Sequence, residues 1–317
     1  MASAYRNFRP VDIATMPKRK LHKLWMKLAF PLTGGEPYCP RCGSVHYTHI
    51  KTRKQYRCRD CEHRYSNTSG TIFACRKLSI RDILFGIAEF QDEEDACTAH
   101  SFARKMGVSY KTAWVMAHKV RQLMFAARSN LSITEDVAVD GAYFGGVLRN
   151  INVKKNRNDH RLKKFRHQNK KKVVVIVKGR ITNSTILARE FMSEAEAVDW
   201  VRGCVPKDKK IFTDEANHWN SLGASHKHHT INHKQAYKIG DNDTNAAESF
   251  FGTFRVASKV YRSVSRGYFT AYINEQVWRR TSKLARSNLD RFLDVVSHIG
   301  NVINKFRGYW QFGEMTA

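Results

Sequence analysis

The chain has 317 residues, its 55 Lys and Arg outnumber its 28 Asp and Glu, and its formal net charge is +27. Hydrophobic residues make up 42% of the sequence, which excludes wholesale disorder, and no apolar run approaches the roughly 18 residues of a membrane span. The length favours two or three domains, and the first ten residues lack the apolar core of a secretory signal. A folded chain of this charge needs a polyanionic partner. Nucleic acid is the first candidate, and a ribosomal or structural role is the alternative.

The positive charge is concentrated in two segments. Residues 149–180 hold thirteen Lys or Arg against one acid, and residues 1–70 hold fourteen against four acids. An evenly solvated surface would not show two such zones, so we expect two contact surfaces, on one extended ligand or on two. The N-terminal zone begins with a predicted basic helical arm over 1–36.

Four of the seven cysteines form two C-x-x-C pairs, Cys39 with Cys42 and Cys58 with Cys61, separated by fifteen residues. Each pair makes a tight turn that directs two thiolates to one point, and two pairs complete a tetrahedron around Zn²⁺. Two disulfides are the alternative, but no secretory signal supports an oxidising compartment. The spacing therefore predicts a structural zinc ribbon over 37–74. Its candidate contacts with a phosphate backbone are Arg53, Lys54 and Arg57.

Three helices are predicted within 76–130. Apolar residues at helical spacing indicate helices over 79–91 and 98–106. Gly107 then makes a turn, and Ser109 is a good N-cap for a longer third helix. A helix, a short turn with glycine and a basic amphipathic helix are typical of a helix-turn-helix, although any small helical bundle can produce the pattern. The polar face of the third helix consists of Tyr110, Lys111, Thr112, His118, Lys119, Arg121 and Gln122, of which Tyr110, Lys111, Thr112 and Lys119 are candidate DNA contacts.

Two isolated carboxylates follow apolar runs farther along the chain. Asp140 ends the run that begins at Val137, and Asp214 ends the run that begins at Lys210. Further strands are predicted over 172–177 and 184–188. A helix is predicted over 193–201, with Ser193 and Glu196 as a capping box. Strands with one intervening helix suggest a mixed sheet in an α/β layer, and carboxylates at the ends of neighbouring strands can meet.

A third polar group stands on a predicted helix that begins near residue 245. One face of this helix is apolar and should pack on the sheet: Ala247, Phe250, Phe251 and Phe254. The opposite face carries an amide, a carboxylate and a cation in line: Asn245, Glu248 and Arg255.

Carboxyl and amide oxygens that converge at strand ends suit Mg²⁺, which prefers oxygen ligands. Two such ions about 4 Å apart activate a nucleophile and stabilise a leaving oxygen at a phosphodiester. Asp140, Asp214 and Glu248 are therefore the candidate ligands, and Arg255 would neutralise phosphate charge. The alternative is that both Asp residues cap strand ends and that Glu248 is a solvated helix residue.

The ordered motifs resemble those of bacterial and archaeal insertion-sequence transposases of the DDE superfamily that carry an N-terminal zinc ribbon. The resemblance covers about 38–280. Besides the cysteine pairs, it rests on Tyr65-Ser66, Ser69–Phe73, Gly107–Trp114, Val139-Asp140, Tyr143–Gly146, Thr213–Glu215, Asn232-His233, Thr244-Asn245 and Glu248–Phe251.

The resemblance implies an RNase H-like core that uses a divalent metal, Mg²⁺ or Mn²⁺, with Asp140 and Asp214 as its first two catalytic acids. The third position in the wider family is Asn or Glu followed by a basic residue. Arg255 stands seven residues after Glu248, the usual offset, so Glu248 is the preferred ligand and Asn245 the alternative.

Two positions depart from the family pattern and leave the metal geometry and the activity open. Gly141 stands where an acid commonly follows the first Asp, and Asp243 stands where His often precedes the Thr-Asn pair. A histidine cluster at 226–233 suggests either a second metal or a loop near DNA, and we favour the loop.

The predicted fold class is multidomain α/β. Its segments are a basic helical arm (1–36), a zinc ribbon (37–74), a helix-turn-helix region (76–130), an RNase H-like mixed-sheet catalytic domain (134–265) with a basic insert (149–180), and a helical C-terminal region (266–317). The last segment would close the core or make a dimer contact. Candidate phosphate contacts in the insert are Lys154, Lys155, Lys163, Lys164, Lys170 and Lys171.

The resemblance implies a DNA transposase that acts in the cytoplasm, at the nucleoid. It would bind the terminal inverted repeats of its element in double-stranded DNA, hydrolyse the element ends to expose a 3′ hydroxyl and join that hydroxyl to target DNA. A two-ended reaction implies a homodimer or a larger synaptic assembly. The alternatives are an RNase H-like nuclease or resolvase without strand transfer, and a DNA-binding regulator with an inactive core.

Overall fold

The computed structural model describes residues 8–128, 132–144, 172–181, 186–231, 238–239, 242–243, 245–262, 264, 266–285 and 287–302. The chain divides into two compact units. The first contains residues up to 129 together with those from 282 onward, and the second contains residues 130–281. The first unit is therefore discontinuous in sequence.

The helices are α1 (Pro10–Thr15), α2 (Lys18–Ala29), α3 (Ile80–Asp92), α4 (Ala99–Met106), α5 (Tyr110–Ala127), α6 (Val198–Cys204), α7 (Asn245–Tyr261), α8 (Phe269–Thr281) and α9 (Asn288–Val296). The strands are β1 (Tyr47–Ile50), β2 (Gln55–Cys58), β3 (Arg64–Ser66), β4 (Val137–Phe144), β5 (Lys172–Gly179), β6 (Ile186–Phe191), β7 (Lys210–Asp214), β8 (Lys227–Ile231), β9 (Lys238–Ile239) and β10 (Asn242–Asp243). Short 3₁₀ turns cover Pro31–Thr33, Lys51–Arg53, Ala195–Ala197, Asn217–Ala224, Arg266–Tyr268 and Ser282–Leu284.

The first unit contains the predicted ribbon, in which β1, β2 and β3 form an antiparallel sheet. Lys54 adopts a left-handed conformation (φ 51°) and turns the chain between β1 and β2. The indole of Trp25, on α2, donates a hydrogen bond of 2.8 Å to the carbonyl of Asn67, just beyond β3. The N-terminal helix α2 is thereby fixed to the end of the ribbon.

The helix-turn-helix predicted from the sequence is present as α4, a turn and α5. The hydroxyl of Thr98 accepts the Ser101 N–H and caps α4, and Ser109 caps α5 in the same way through the Thr112 N–H. Gly107 ends α4 in a left-handed conformation (φ 63°), which glycine adopts without steric cost. The local sequence thus fixes where both helices begin and where the first one ends.

The polar face predicted for α5 is partly wrong. His118, Arg121 and Gln122 are buried, because α5 packs against α3 and α4 on one side and against α9 on the other. The Arg121 guanidinium lies 5.1 Å from the ring centre of Phe90, and the His118 ring meets Trp114 edge-on at 4.7 Å. A helix covered on two sides cannot keep a long polar face in solvent.

The predicted C-terminal helical region is shared between the two units. Helix α8 belongs to the second unit, whereas α9 packs on α3 and α5 in the first. The Arg291 side chain donates to the Gln91 carbonyl at 3.2 Å, and the Ile72 N–H donates to the Ile299 carbonyl at 3.3 Å. Residues 288–299 therefore close the core of the first unit. The predicted inner face includes Phe292, Val296 and Ile299 as expected, but Leu289 is exposed and Val295 is buried in addition.

The second unit is built on a five-stranded mixed sheet in the order β6-β5-β4-β7-β8. Strands β4, β5 and β6 pair antiparallel, whereas β7 and β8 run parallel to β4. One face, with Val137, Val139 and the odd-numbered valines of β5, packs against α6 and the 3₁₀ turn at Asn217–Ala224. The other face, with Ala138 and Ala142, packs against α7 and α8. The predicted α/β fold class with a ribbon and a mixed sheet is confirmed.

The helix predicted to begin at Ser193 begins later. A 3₁₀ turn over Ala195–Ala197 leads into α6, and the Glu196 carboxylate accepts the Met192 N–H at 3.1 Å rather than closing a capping box on Ser193. The segment between β6 and α6 is consequently irregular, because no helix begins at Ser193.

None of the helices in the described ranges is both long enough and apolar enough to cross a membrane.

The buried His118 makes a prediction about pH. Burial, together with the nearby Arg121 charge, lowers the pKa of His118 well below 6.5, so the ring is neutral in the folded protein. In the unfolded chain the same ring binds a proton below about pH 6.5. The contribution of His118 to stability is therefore present above pH 6.5 and is lost as the pH falls below it, by up to about 1.4 kcal/mol per pH unit.

As the pH is lowered from 7 to 5, we expect the thermal unfolding midpoint of His118→Gln, which cannot be protonated, to rise relative to that of the wild type. Differential scanning calorimetry across this range measures both slopes. His22→Gln, at an exposed position on α2, is the control and should keep the wild-type slope. Equal slopes for His118→Gln and the wild type would contradict the assignment.

Candidate active site

The sheet brings Asp140 and Asp214 to the same level on neighbouring strands. The parallel register pairs Val137 with Ile211 and Ala138 with Phe212. Two residues farther along, Asp140 and Asp214 occupy corresponding positions, and Asp214 is the last residue of β7. Adjacent strands are about 4.8 Å apart, and residues two apart lie on the same face of a strand. The two carboxylates predicted from the sequence are therefore neighbours.

Helix α7 supplies Glu248 from its first turn. The apolar face predicted for this helix is confirmed, since Ala247, Phe250, Phe251 and Phe254 are all buried. The Phe254 ring packs edge-on against Phe144 of β4 at 4.6 Å, which seats the helix on the sheet face that Asp140 shares. Glu248 is exposed on the opposite side of α7, yet its charge contributes to raising the pKa of Asp140.

Asp140 is the electrostatic centre of the site. Burial raises its pKa to about 6, and the charges of Asp214, Glu194 and Glu248 act in the same direction. The Gly141 N–H, which donates to Asp140 Oδ1 at 2.7 Å, opposes this rise. The charges of three other carboxyl groups thus reach Asp140.

Glu194 is a member of this group that the sequence did not reveal. It lies in the irregular segment before the 3₁₀ turn at Ala195–Ala197, and burial followed by the charge of Asp214 raises its pKa, while His218 lowers it. Its Oε2 is 3.1 Å from His218 Nε2. The one signal for it in the sequence is Gly141, because Glu194 fills the space that a side chain at position 141 would occupy.

The donor set suits a hard divalent cation. Carboxylate oxygens are the ligands that Mg²⁺ and Mn²⁺ prefer, and a cation between the acids would relieve their repulsion. Within the described ranges, the only His, Cys, Asp and Glu side chains that bring three or more ligand atoms within 4.8 Å of one another are the four cysteines. No three of these carboxylates are therefore that close together in the described structure.

The structure says less about the other two residues predicted for this site, Asn245 and Arg255. Asn245 is the first residue of α7, and its side chain lies outside the described part of the structure. Arg255 is exposed on α7 two turns beyond Glu248, about 10 Å along the helix axis.

The histidine cluster has structural partners instead of a metal. His226 Nε2 is 2.9 Å from the Val205 carbonyl oxygen, and His228 Nε2 is 2.8 Å from Thr213 Oγ1. His229 stacks on Phe212 at 5.0 Å. Because His228 and His229 belong to β8, the expectation of a loop is wrong for them, while His233 lies outside the described residues.

The four cysteine thiols form a closed cluster. The Sγ atoms of Cys39 and Cys61 are 3.6 Å apart, as are those of Cys42 and Cys58. Four sulfurs placed tetrahedrally at the usual Zn–S distance of about 2.3 Å would be about 3.8 Å apart. The cluster therefore fits a structural zinc ion with no open coordination position.

The backbone prepares this cluster. Gly43 and Glu62, the residues that follow the second cysteine of each pair, are both left-handed, with φ of 77° and 59°. The Cys61 N–H is the main group that lowers the pKa of Cys58, to about 7, which favours the thiolate that zinc binds.

The predicted DNA contacts of the first unit are mostly in solvent. Arg53, Lys54 and Arg57 are exposed on the ribbon, and Arg57 pairs with Glu62 at 2.8 Å. At the start of α5, Tyr110 and Lys111 are exposed and Thr112 is half-buried. Lys119 is also half-buried, with its Nζ 5.4 Å from the ring centre of Phe73. The predicted contacts in the basic insert all lie outside the described residues: Lys154, Lys155, Lys163, Lys164, Lys170 and Lys171.

Comparison with known families agrees with this architecture. Residues 132–281 match the ISXO2-like transposase domain, and residues 28–64 match the transposase zinc-ribbon domain. The chain belongs to the insertion-sequence DDE transposases with an N-terminal zinc ribbon. The first match coincides with the second compact unit, which holds the carboxylates, and the second includes all four cysteines. No curated protein and no solved structure matches the chain.

The cysteine cluster predicts that the transposase carries about one zinc ion per chain and that the ribbon depends on it. Cys58→Ser should bring the zinc content measured by plasma mass spectrometry close to zero and should expose residues 39–66 to limited proteolysis. Cys75→Ser, at an exposed cysteine outside the cluster, is the matched control. Full zinc content in Cys58→Ser would contradict the assignment.

The raised pKa of Asp140 predicts that the transposase gives up stability to keep this acid charged. Because the folded-state pKa of Asp140 is about 6 and its ordinary value is 3.8, stability is lost as the pH rises between these values. Asp140→Asn should therefore raise the thermal midpoint at pH 7.5 without divalent cations, by about 2–4 °C, and the gain should shrink at pH 5.

Adding Mn²⁺ at pH 7.5 should raise the midpoint of the wild type but leave Asp140→Asn unchanged. Asp199→Asn, an acid whose side chain is 89% exposed, should behave like the wild type in both conditions. A midpoint for Asp140→Asn at or below the wild-type value without divalent cations would contradict the electrostatic account.

Proposed function

We propose that this transposase binds the terminal inverted repeats of its element, cleaves the DNA ends and joins the 3′ hydroxyl to target DNA by two-metal phosphodiester chemistry. The observation that carries the proposal is the parallel register that sets Asp140 beside Asp214, with Glu248 in electrostatic range. In a chain with a net charge of +27, such a gathering of acids needs a function that offsets its cost.

Asp140 and Asp214 would hold the divalent cation, with Glu248 as the third ligand and Asn245 as the alternative. When bound, Mg²⁺ or Mn²⁺ supplies Lewis acidity to the scissile phosphate and activates the attacking oxygen. The exposed Arg255 lies on the same helix as Glu248 and would neutralise a phosphate next to the reacting one. Without cations, the carboxylates would repel the DNA that they have to approach.

The first unit would hold the DNA in two ways. The exposed cations of the ribbon, Arg53, Lys54 and Arg57, would contact phosphates, which makes the affinity sensitive to salt. The first turn of α5, with Tyr110, Lys111 and Thr112, would enter the major groove as the recognition helix of a helix-turn-helix does. Lys119 is left out of this interface, because its amine packs over Phe73.

The basic insert would hold flanking or target DNA through its phosphates. Since an element has two ends, a homodimer or larger synaptic assembly would bring both ends to one target.

A strand-transfer assay tests the proposal. The substrate is a pair of pre-cleaved element ends with a labelled 3′ hydroxyl, and the target is a supercoiled plasmid, with Mg²⁺ or Mn²⁺ present. We expect joined products with the wild type and none with Asp140→Asn or Asp214→Asn. Both variants should still shift the end DNA in a gel without divalent cations. Asp199→Asn is the matched control and should join normally.

The outcome separates the competing functions. Uncut element ends that are cleaved but never joined would favour a nuclease or resolvase. Element-dependent regulation in cells that persists in Asp140→Ala and Asp214→Ala would favour a DNA-binding regulator with an inactive core. Either outcome would overturn strand transfer as the function.

A further inference from the structure

We propose that His228 and Thr213 are positioning residues for Asp214, because a relay of hydrogen bonds from the His228 ring fixes the direction in which the Asp214 carboxylate points. The inference rests on the proposed function, since it takes Asp214 as a ligand of the divalent cation. The sequence motifs assign no role to either residue.

The Asp214 carboxylate is held by the turn that follows β7. Its Oδ1 accepts the N–H of Ala216 at 3.3 Å. A side-chain oxygen that accepts the N–H two residues farther along forms an Asx turn, which couples the side chain to the backbone of the turn. Since the carboxylate is planar, the direction of its second oxygen, Oδ2, follows from the direction of this turn.

The Thr213 hydroxyl fixes the first peptide group of the turn. Thr213 is fully buried, and its Oγ1 donates a hydrogen bond of 2.8 Å to the Asp214 carbonyl oxygen. That carbonyl belongs to the peptide group between residues 214 and 215, and the Ala216 N–H belongs to the next one. Because each peptide group is planar, a rotation of the first would move the Ala216 N–H away from the carboxylate.

The His228 ring holds the hydroxyl in this orientation. Its Nε2 lies 2.8 Å from Thr213 Oγ1. A hydroxyl has one proton, and Thr213 gives this proton to the Asp214 carbonyl, so the imidazole is the donor in the contact. Burial lowers the pKa of His228, which favours the neutral ring with a single N–H. The hydrogen bonds therefore run in one direction, from Nε2–H through the hydroxyl to the carbonyl.

The sheet brings the ring to Thr213 from the neighbouring strand. Strand β8 runs parallel to β7, and His228 is paired with Ile211, two residues before Thr213. Residues two apart share a face of a strand, so the ring reaches Thr213 diagonally across one face of the sheet. Asp214 is the next residue, and its side chain points to the other face. The relay therefore acts on the carboxylate through the backbone and not by contact with it.

Removal of the hydroxyl tests the relay independently of catalysis. Thr213→Val keeps the shape of the side chain but has no proton to donate. Isothermal titration of Mn²⁺ into the full-length zinc-loaded protein should show an affinity about tenfold weaker, a typical cost of losing a group that orients a ligand. Thr213→Ser keeps the hydroxyl and should bind as the wild type does. Thr230→Val, the same change at the exposed partner of Thr213 on β8, is the matched control.

The ring is tested in the same titration. His228→Ala should weaken Mn²⁺ binding as Thr213→Val does, and it makes the same test should Thr213→Val not fold. His228→Gln, whose amide N–H can replace Nε2–H, should retain most of the affinity. The double variant Thr213→Val/His228→Ala should bind no more weakly than Thr213→Val, because the two residues act in one relay. Additive losses would overturn the relay.

His226→Ala separates positioning from a general loss of stability. His226 lies two residues before His228, and its Nε2 is likewise in hydrogen-bond contact, 2.9 Å from the Val205 carbonyl oxygen. Its removal should lower the thermal unfolding midpoint and leave Mn²⁺ binding unchanged. A loss of Mn²⁺ affinity as large as that of His228→Ala would overturn the positioning role.

The direction of the relay has a readout that needs no divalent cation at the carboxylates. Long-range ¹⁵N–¹H NMR of the zinc-loaded protein at neutral pH should show the His228 ring protonated on Nε2. A ring protonated on Nδ1 would overturn the relay, because Nε2 would then have no proton to donate to Thr213.

The failures of the two proposals can be told apart. If Asp214→Asn weakens Mn²⁺ binding but folded Thr213→Val and His228→Ala bind as the wild type does, the relay is only structural and the proposed function stands. If Asp214→Asn also binds like the wild type, the metal site itself is wrong and both proposals fall.

Discussion

Repulsion among carboxylates is the constraint on which the catalytic unit depends. Burial raises the pKa of Asp140, and the charges of Asp214, Glu194 and Glu248 raise it further. Two features that do not involve the acids hold them in place against this repulsion. They are the parallel pairing of β4 with β7 and the packing of α7 on the sheet through buried phenylalanines. Folding energy from the apolar layers is thus used to hold together groups that would otherwise separate.

The first unit also gathers groups of like charge, in this case four cysteine thiolates. Its ribbon is too small to stabilise itself by apolar burial, and four thiolates gathered within 4.8 Å need zinc. Around this cluster the exposed cations face solvent, where phosphates can reach them. The second unit therefore gathers negative charge at its carboxylates, and the first surrounds its cysteine cluster with exposed positive charge.

The sequence was informative wherever a local rule decides the structure. The spacing of the cysteines, the N-cap Ser109 and the apolar stripe of α7 each act within a few residues, and each is found as predicted, although the capping box predicted at Ser193 is not. Tertiary contacts decided the rest. Arg121 is buried over the Phe90 ring of α3, and Glu194 lies over Gly141 of β4, each a contact between residues far apart in the sequence. No periodicity or motif encodes contacts of this kind.

The discontinuity of the first unit has a consequence for synthesis on the ribosome. Helices α3 and α5 emerge early, but α9, which covers them, follows only after the whole of residues 130–281. At about 5–20 residues per second, those intervening residues take roughly 8–30 s to translate. By the end of that time all of residues 130–281 have been made, whereas the apolar faces of α3 and α5 are still uncovered. The second unit is therefore complete before the first, and the earlier segment of the first unit has to stay soluble until its last helix is made.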